Sequence, residues 1–187
     1  PPQLERLMTG LHRVLPWTKN AEVTLEANPE DLSPEMAHHW QELGFNRLSL
    51  GIQSFNQQLL AALNRGHTRQ QAFAAVELAR KAGFNNLTAD LIYGQPAMNQ
   101  LAWQKELHDF QQLQIPHLSA YCLTLEENTV FGRRAAQGTF SLPEDEVQAQ
   151  HFEALMDWAA KQGYQHYEIS NFGRAGFLSE HNRNYWQ

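Results

Sequence analysis

The chain has 187 residues, and its 14 Lys and Arg against 20 Asp and Glu give a formal net charge of −6. This length suits one domain with a substantial core, and the 42% apolar content excludes a disordered chain. The acidic balance argues against a nucleic-acid partner, and no apolar run is long enough to cross a membrane. A single cysteine, Cys122, excludes an intrachain disulfide and a cysteine-only metal site, and makes a reducing cytoplasm the default compartment.

Predicted helices and strands alternate along the chain. Apolar residues three or four positions apart predict a first helix over 4–15, and short apolar runs bounded by turn residues predict five strands. The strands are predicted over 21–29, 47–54, 86–94, 117–125 and 164–170. Further helices are predicted over 34–43, 57–64, 68–82, 101–113 and 145–162. This alternation is typical of a parallel sheet.

Three of the helices end in the same way, at Gly44-Phe45, Gly83-Phe84 and Gly163-Tyr164. Glycine adopts the left-handed conformation that terminates a helix, and the aromatic residue after it can pack back on the last turn. The repeat predicts three helix-to-strand units of one architecture.

The parallel sheet is predicted to be part of a barrel. No G-x-G-x-x-G follows a strand, which weakens a dinucleotide-binding sheet. A closed eight-stranded barrel typically takes roughly 250 residues, so five strands in this length suggest a sector of one. We therefore expect an α/β fold, a partial TIM-like barrel that is incomplete because N-terminal strands are missing.

Polar residues near the carboxyl ends of the predicted strands are the candidate site, because such barrels place their active sites there. These residues are Glu26, Gln53, Asp90 and Thr124. Asp90 is the strongest candidate, since a carboxylate between Leu87 and Leu91 needs a hydrogen-bond or charge partner. The structural alternatives are a turn cap for Glu26, a local backbone bond for Gln53, and either a loop cap or a buried arginine partner for Asp90.

Two further residues lie outside the strands. Arg65 follows a helix, where a cation interacts well with the C-terminal carbonyls, and that structural interpretation is favoured from position alone. His181 clusters with Asn182, Tyr185 and Trp186 beyond the last strand. An imidazole beside large aromatic rings suits a planar cofactor, although a lone histidine is more often structural.

An ordered series of short motifs resembles one known family. The series is LEANPEDL, NRLSLGIQSFN, LNRGH, ADLIYGQP, LSAYCLTLEENTVF, YEISNFGRAGF and HNRNYW. It is similar to the radical-SAM HemN/HemW family, proteins related to oxygen-independent coproporphyrinogen III oxidase, and most similar to its haem-chaperone branch. The motifs are short, but their order and spacing run from about residue 21 to the end.

The resemblance implies a partial barrel that holds a [4Fe-4S] cluster and S-adenosylmethionine. The family's C-x-x-x-C-x-x-C and GGGTP motifs are not in this sequence, so we expect them upstream and expect this chain alone to be inactive. Residues 1–173 would be the later part of the barrel, and 174–187 the start of a connection to a further domain. No catalytic residue and no cluster ligand is predicted here, and whether the whole protein is an enzyme stays open.

The resemblance also implies roles for particular residues. Glu26 matches an acid near the methionine end of S-adenosylmethionine, and Arg65 matches its carboxylate clamp. Gln53 and Asp90 match ribose contacts, and Thr124 lies where the backbone passes the adenine. His181 matches the histidine linked to haem binding in the HNxxYW motif.

Two functions follow from the resemblance. A haem chaperone would bind haem and deliver it to haem-accepting proteins, whereas the oxidase would decarboxylate two propionates of coproporphyrinogen III. Because a partial barrel exposes the edge of its first strand, we also expect that edge to pair across copies, as in a homodimer, or to be covered.

Overall fold

The computed structural model describes the backbone of residues 2–185 and the side chains up to residue 184. Six strands are β1 (Thr24–Ala27), β2 (Arg47–Gln53), β3 (Asn86–Tyr93), β4 (His117–Cys122), β5 (Gln165–Glu168) and β6 (Asn171–Gly173). The first four helices are α1 (Pro2–Val14), α2 (Pro34–Glu42), α3 (Gln57–Ala62) and α4 (Arg69–Lys81). They are followed by α5 (Gln100–Leu113), α6 (Val130–Ala136), α7 (Asp145–Lys161) and α8 (Glu180–Tyr185), and a 3-10 turn spans Pro29–Asp31.

The sheet has the order β1-β2-β3-β4-β6-β5. Strands β1 to β4 are parallel and adjacent in chain order, with helices in the connections between them. This confirms the predicted α/β architecture of a partial barrel.

The prediction that the fifth strand is a single parallel strand is wrong. It is a hairpin, in which β6 pairs antiparallel with both β4 and β5 and so separates them. The reversal is stabilised by Glu168, whose carboxylate accepts hydrogen bonds from the Ser170 backbone N–H and the Asn171 amide. The Ser119 hydroxyl then ties Asn171 to β4 at 3.0 Å.

The two faces of the parallel strands differ in polarity. One face carries the apolar residues, which lie against the helices and form the core, among them Leu48, Leu50, Leu87 and Leu118. The residues between them point to the other face and are largely polar, because successive side chains alternate across a strand. The sheet therefore presents a polar inner surface, which positions the candidate site.

All three predicted glycine joints are present. Gly44, Gly83 and Gly163 have φ of 94°, 100° and 75°. The backbone N–H of the aromatic residue that follows each glycine bonds back into the last helical turn, at 2.9–3.2 Å, and each aromatic ring is buried. This bonding pattern is the helix-ending motif that the sequence predicted.

The segment after β6 lies against the start of the sheet. Ser179 is 1% exposed and precedes α8. Its hydroxyl and the Glu180 backbone N–H both donate to Glu22, which precedes β1. That residues 174–187 begin a connection to a further domain stays a prediction.

Strand β1 is an edge of the sheet, and no strand among residues 2–185 pairs with its free side. Pairing of that edge across copies also stays a prediction. Among the described residues, no helix is both long and apolar enough to span a membrane.

Candidate functional site

A cavity of about 280 Å³ lies on the polar inner face of the parallel strands. Each strand from β1 to β4 contributes two alternate residues, and the segment around α8 contributes three. The lining residues are Thr24, Glu26, Arg47, Ser49, Thr88, Asp90, Ser119, Tyr121, Ser179, His181 and Asn182. Three of the predicted site residues, Glu26, Asp90 and His181, therefore share one cavity.

Asp90 is the most perturbed carboxylate of the cavity. Burial raises its pKa to about 6, and the charge of Glu26 adds to that shift, whereas the hydroxyls of Ser119 and Ser49 and the Arg47 guanidinium oppose it. The Ser49 hydroxyl lies 3.4 Å from both carboxylate oxygens. Asp90 thus keeps acceptor capacity that a hydroxyl-bearing ligand could use.

A second cluster holds Arg65 and Gln53. The Arg65 guanidinium donates to the Asn28 side-chain oxygen at 2.7 Å. A Cβ at Gly51 would lie 3.0 Å from the Gln53 amide nitrogen and 3.4 Å from the same Asn28 oxygen, so the amide groups of Gln53 and Asn28 approach each other over Gly51. The cluster depends on the absence of a side chain at position 51.

Gln53, Arg65 and Thr124 do not line the cavity. A β-bulge between Leu50 and Gln53 shifts the register of β2, and Gln53 has φ of 65°, so it leaves the alternation of the inner face. Thr124 is exposed in the loop after β4. The predicted residues thus form two groups rather than one.

Arg47 is a cavity residue that the sequence prediction missed. It is 5% exposed, and its Nε and Nη2 have no hydrogen-bond partner among the residues the structure describes. Its nearest counter-charge is Glu22, whose Oε2 lies 3.8 Å from Nε. The sequence signal that could have found it is the pattern R-x-S in a predicted strand. This spacing places the Arg47 cation on the same half-buried face as the polar Ser49.

A chain of hydrogen bonds holds the segment that carries His181. His117 is buried and contacts the Thr88 hydroxyl at 2.6 Å and the Tyr167 hydroxyl at 2.7 Å. The Tyr167 oxygen accepts the backbone N–H of Ser179 at 3.2 Å. Burial lowers the pKa of His117 to about 3, so its ring is neutral at pH 7.

The donor set fits S-adenosylmethionine but not an iron–sulfur cluster. The half-buried Asp90, the exposed Glu26, the half-buried Arg65 and the buried Gln53 supply carboxylate, guanidinium and amide groups that match the diol, carboxylate and ammonium of that cofactor. A cluster needs several thiolates, and Cys122, the one cysteine in the sequence, donates to Gln148 at 2.8 Å. Within the described part of the chain, no three His, Cys, Asp or Glu side chains are grouped to hold a metal ion.

The strand order and the polar inner cavity define a partial parallel α/β barrel of the kind that binds ligands inside its sheet. The family description "Radical SAM superfamily" matches residues 5–109, more than half of the sequence. The chain belongs to the radical SAM superfamily.

Three of the similar curated proteins carry the same name. The chain is 44% identical to "Heme chaperone HemW" of Lactococcus lactis, over 98% of this chain and 48% of that protein. It is 38% identical to the Bacillus subtilis protein of that name, over 98% of this chain and 49% of that protein. It is 36% identical to the Escherichia coli protein of that name, over 100% of this chain and 48% of that protein. The chain spans about half the length of these curated relatives.

Solved structures agree with the fold. Coproporphyrinogen III oxidase (HemN) from Escherichia coli, described as a radical SAM enzyme, superposes with a TM-score of 0.82 at 27% identity, over 94% of this chain and 40% of that one. The archaeal Elp3 of Methanocaldococcus infernus superposes with a TM-score of 0.68 at 17% identity, over 84% of this chain and 40% of that one. At that identity, the superposition supports only the shared fold.

Proposed function

We propose that the full-length protein is a radical-SAM haem carrier, which binds haem and passes it to haem-accepting proteins. The observation that carries this proposal is the similarity of nearly the whole chain to proteins named heme chaperone, at 36–44% identity. The position of His181 on the wall of the cavity supports it, because imidazole is a competent axial ligand of haem iron.

In this proposal, the two residue groups hold S-adenosylmethionine. Asp90 accepts hydrogen bonds from the ribose hydroxyls, and Glu26 faces the ammonium group. Arg65, held by Asn28, binds the carboxylate, while Gln53 contacts the ribose and Thr124 lies beside the adenine. The cofactor together with a [4Fe-4S] cluster supplies radical chemistry in such proteins, and residues outside this chain would hold that cluster.

His181 is the proposed haem ligand. It is exposed although it also lines the cavity, so a ligand as large as a porphyrin can approach it from the surface. The Ser179 backbone and side chain, which are bound by Tyr167 and Glu22, fix the start of its helix. The predicted contributions of the Tyr185 and Trp186 rings lie outside the described side chains.

The second candidate function is oxygen-independent coproporphyrinogen III oxidase. The superposition on that enzyme, at a TM-score of 0.82, favours it over other radical SAM reactions. Both candidates bind a tetrapyrrole, and they differ in turnover: the carrier releases its ligand unchanged, whereas the oxidase removes two propionate carboxyl groups.

The test uses the full-length protein with its cluster reconstituted. We expect haem to give a Soret band on binding, and the His181→Ala variant to lose that band while S-adenosylmethionine binding and circular dichroism persist. His108→Ala, at an exposed histidine of α5, is the matched control. Equal haem occupancy in His181→Ala and wild type would contradict the assignment, and decarboxylation of coproporphyrinogen III would establish the oxidase instead.

A further inference from the structure

A fully buried histidine, His67, lies beside the cluster of Gln53 and Arg65. It is 0% exposed and follows Arg65 by two residues. Its Nε2 lies 2.9 Å from the main-chain oxygen of Ile52, the residue before Gln53. A carbonyl oxygen can only accept, so Nε2 carries a proton and donates it to this bond. A side chain from the segment of Arg65 thus holds the backbone that carries Gln53.

The carbonyl that His67 holds belongs to a tight turn of three residues. The Ser54 backbone N–H donates to the same Ile52 oxygen at 2.7 Å, which closes a γ-turn with Gln53 at its centre. Gln53 has φ of 65°, a conformation that costs free energy in a residue with a side chain. Such a conformation persists only where surrounding contacts fix it, and the His67 bond is a contact from outside the turn.

The orientation of the Gln53 amide follows from this turn. Regular alternation along β2 would place Gln53 on the inner face, but the register shifts between Leu50 and Gln53. The amide instead approaches the space over Gly51, near the Asn28 oxygen that accepts from Arg65. A change in the turn would therefore move the Gln53 amide relative to Arg65.

Glu30 contacts the other nitrogen of the His67 ring. Its Oε2 lies 3.1 Å from Nδ1, but the geometry is not that of a hydrogen bond. Because the proton on Nε2 is committed to Ile52, attraction between the ring and Glu30 requires a second proton, on Nδ1 or on the carboxylate. The aligned bond of the ring is the one to Ile52, and only that bond reaches the turn.

We infer that His67 is a positioning residue for S-adenosylmethionine. Its Nε2–H holds the Ile52 carbonyl, and the turn fixed in this way keeps the Gln53 amide in place for the ribose. This inference rests on the proposed function, which takes Gln53 as a contact of that cofactor. His67 has no exposed surface with which to touch a ligand, so its effect passes through Gln53.

Two amide substitutions separate the two nitrogens of the ring. In His67→Gln the amide nitrogen can replace Nε2 and donate to Ile52, whereas in His67→Asn the shorter side chain places it near the position of Nδ1. Calorimetric titration of the full-length protein with S-adenosylmethionine, its cluster reconstituted, measures the affinity. We expect His67→Gln to stay within about threefold of wild type and His67→Asn to lose about tenfold. His151→Asn, at an equally buried histidine of α7, is the matched control and should bind as wild type does.

A second background tests whether His67 acts through Gln53. In Gln53→Ala the amide is absent, so adding His67→Asn should cause no further loss of affinity. A general structural effect of His67 would instead give the same tenfold loss in both backgrounds. Additive losses would therefore overturn the positioning role.

The outcomes separate this inference from the proposed function. If wild type does not bind S-adenosylmethionine, the assignment of the cofactor fails and the inference fails with it. If wild type binds, and His67→Gln and His67→Asn bind equally well, only the inference is overturned. If His67→Asn does not fold, His67→Gln alone decides: retained affinity supports the role of the Ile52 bond, and a tenfold loss overturns it.

Discussion

The Glu22 carboxylate accepts a hydrogen bond from the backbone N–H of Glu180 at 3.1 Å, across 158 residues of sequence. The same oxygen accepts from the Ser179 hydroxyl, so one carboxylate satisfies two donors at the start of α8. A negative group at a helix N-terminus is favourable, because the first N–H groups of a helix have no intrahelical acceptor. The segment that bears His181 is thereby fastened to the segment that begins the sheet.

Removing this carboxylate is predicted to loosen α8 and to weaken the fold. Glu22→Ala leaves the Ser179 and Glu180 donors without their acceptor and Arg47 without its nearest counter-charge. Bonds to a charged group contribute about 1.5–3 kcal/mol, so we expect a loss of about 1–3 kcal/mol in the free energy of unfolding. Urea denaturation measures the loss, and hydrogen exchange should show faster exchange at the amides of α8.

The exposed Glu42→Ala on α2 is the control for a lost surface charge. It should change the free energy of unfolding by less than about 0.5 kcal/mol. A Glu22→Ala variant with the stability and exchange rates of Glu42→Ala would show that the contact contributes little.

The sequence predicts the parallel part of the fold well, because its signals are local. The glycine-aromatic joints and apolar runs place β2 and β3 within one residue and the start of β4 correctly, although β4 ends three residues earlier than predicted. Asp90 is correctly expected on the interior of the barrel. The hairpin of β5 and β6 escapes prediction because β6 has three residues, and its pairing is set by long-range contacts such as Ser119 with Asn171.

The site is predictable only in part, for reasons of geometry. Strand alternation would place both Arg47 and Gln53 on the inner face, but the bulge after Leu50 removes Gln53 from it. Arg47 escapes the prediction because it begins β2, whereas the candidate residues are those at the carboxyl ends of the strands, and its counter-charge, Glu22, precedes another strand. Register irregularities and pairings between strands cannot be read from composition or periodicity.

Asp90→Asn is predicted to stabilise the fold while weakening cofactor binding. Burial raises the pKa of Asp90 to about 6 from an ordinary 3.8, so at pH 7 the folded protein holds a carboxylate in a site that disfavours the charge. Each pKa unit corresponds to about 1.4 kcal/mol, and we expect a gain of about 1–3 kcal/mol in the free energy of unfolding.

The same substitution should lower the affinity for S-adenosylmethionine by about tenfold or more, because an ionised acceptor binds hydroxyls more strongly than an amide. Urea denaturation and calorimetry on one preparation measure the two effects. A destabilised variant would contradict the proposed cost of the buried charge, and unchanged binding would remove Asp90 from the cofactor site.

The pH dependence of stability is predicted to reveal two opposing groups. Asp90 binds more protons in the folded state between about pH 3.8 and 6, so its contribution to stability decreases as the pH rises through that window. Burial lowers the pKa of His117 from 6.5 to about 3, so the folded state binds fewer protons there and stability decreases as the pH falls. In wild type the two effects largely cancel between pH 4 and 6.

Asp90→Asn removes one of the two effects and should expose the other. Its free energy of unfolding is expected to decrease by about 3 kcal/mol more than that of wild type between pH 7 and pH 4. Urea denaturation at five or six pH values gives both curves. Parallel curves for the variant and wild type would show that the pKa of Asp90 is not raised by the fold.

Gly51→Ala is predicted to impair cofactor binding with little effect on folding. The new Cβ would lie 3.0 Å from the Gln53 amide nitrogen and 3.4 Å from the Asn28 oxygen that holds Arg65. The closest contact is the end of a flexible side chain, so the fold adjusts by moving Gln53, and we expect a loss of affinity for S-adenosylmethionine of about tenfold. Gly10→Ala on α1 is the matched control, since its Cβ would meet nothing within 4 Å and should leave binding unchanged.

Calorimetric titration of both variants in the full-length protein, with circular dichroism as the check of folding, measures the difference. Equal affinity in Gly51→Ala and Gly10→Ala would mean that Gln53 and Asn28 do not position the cofactor.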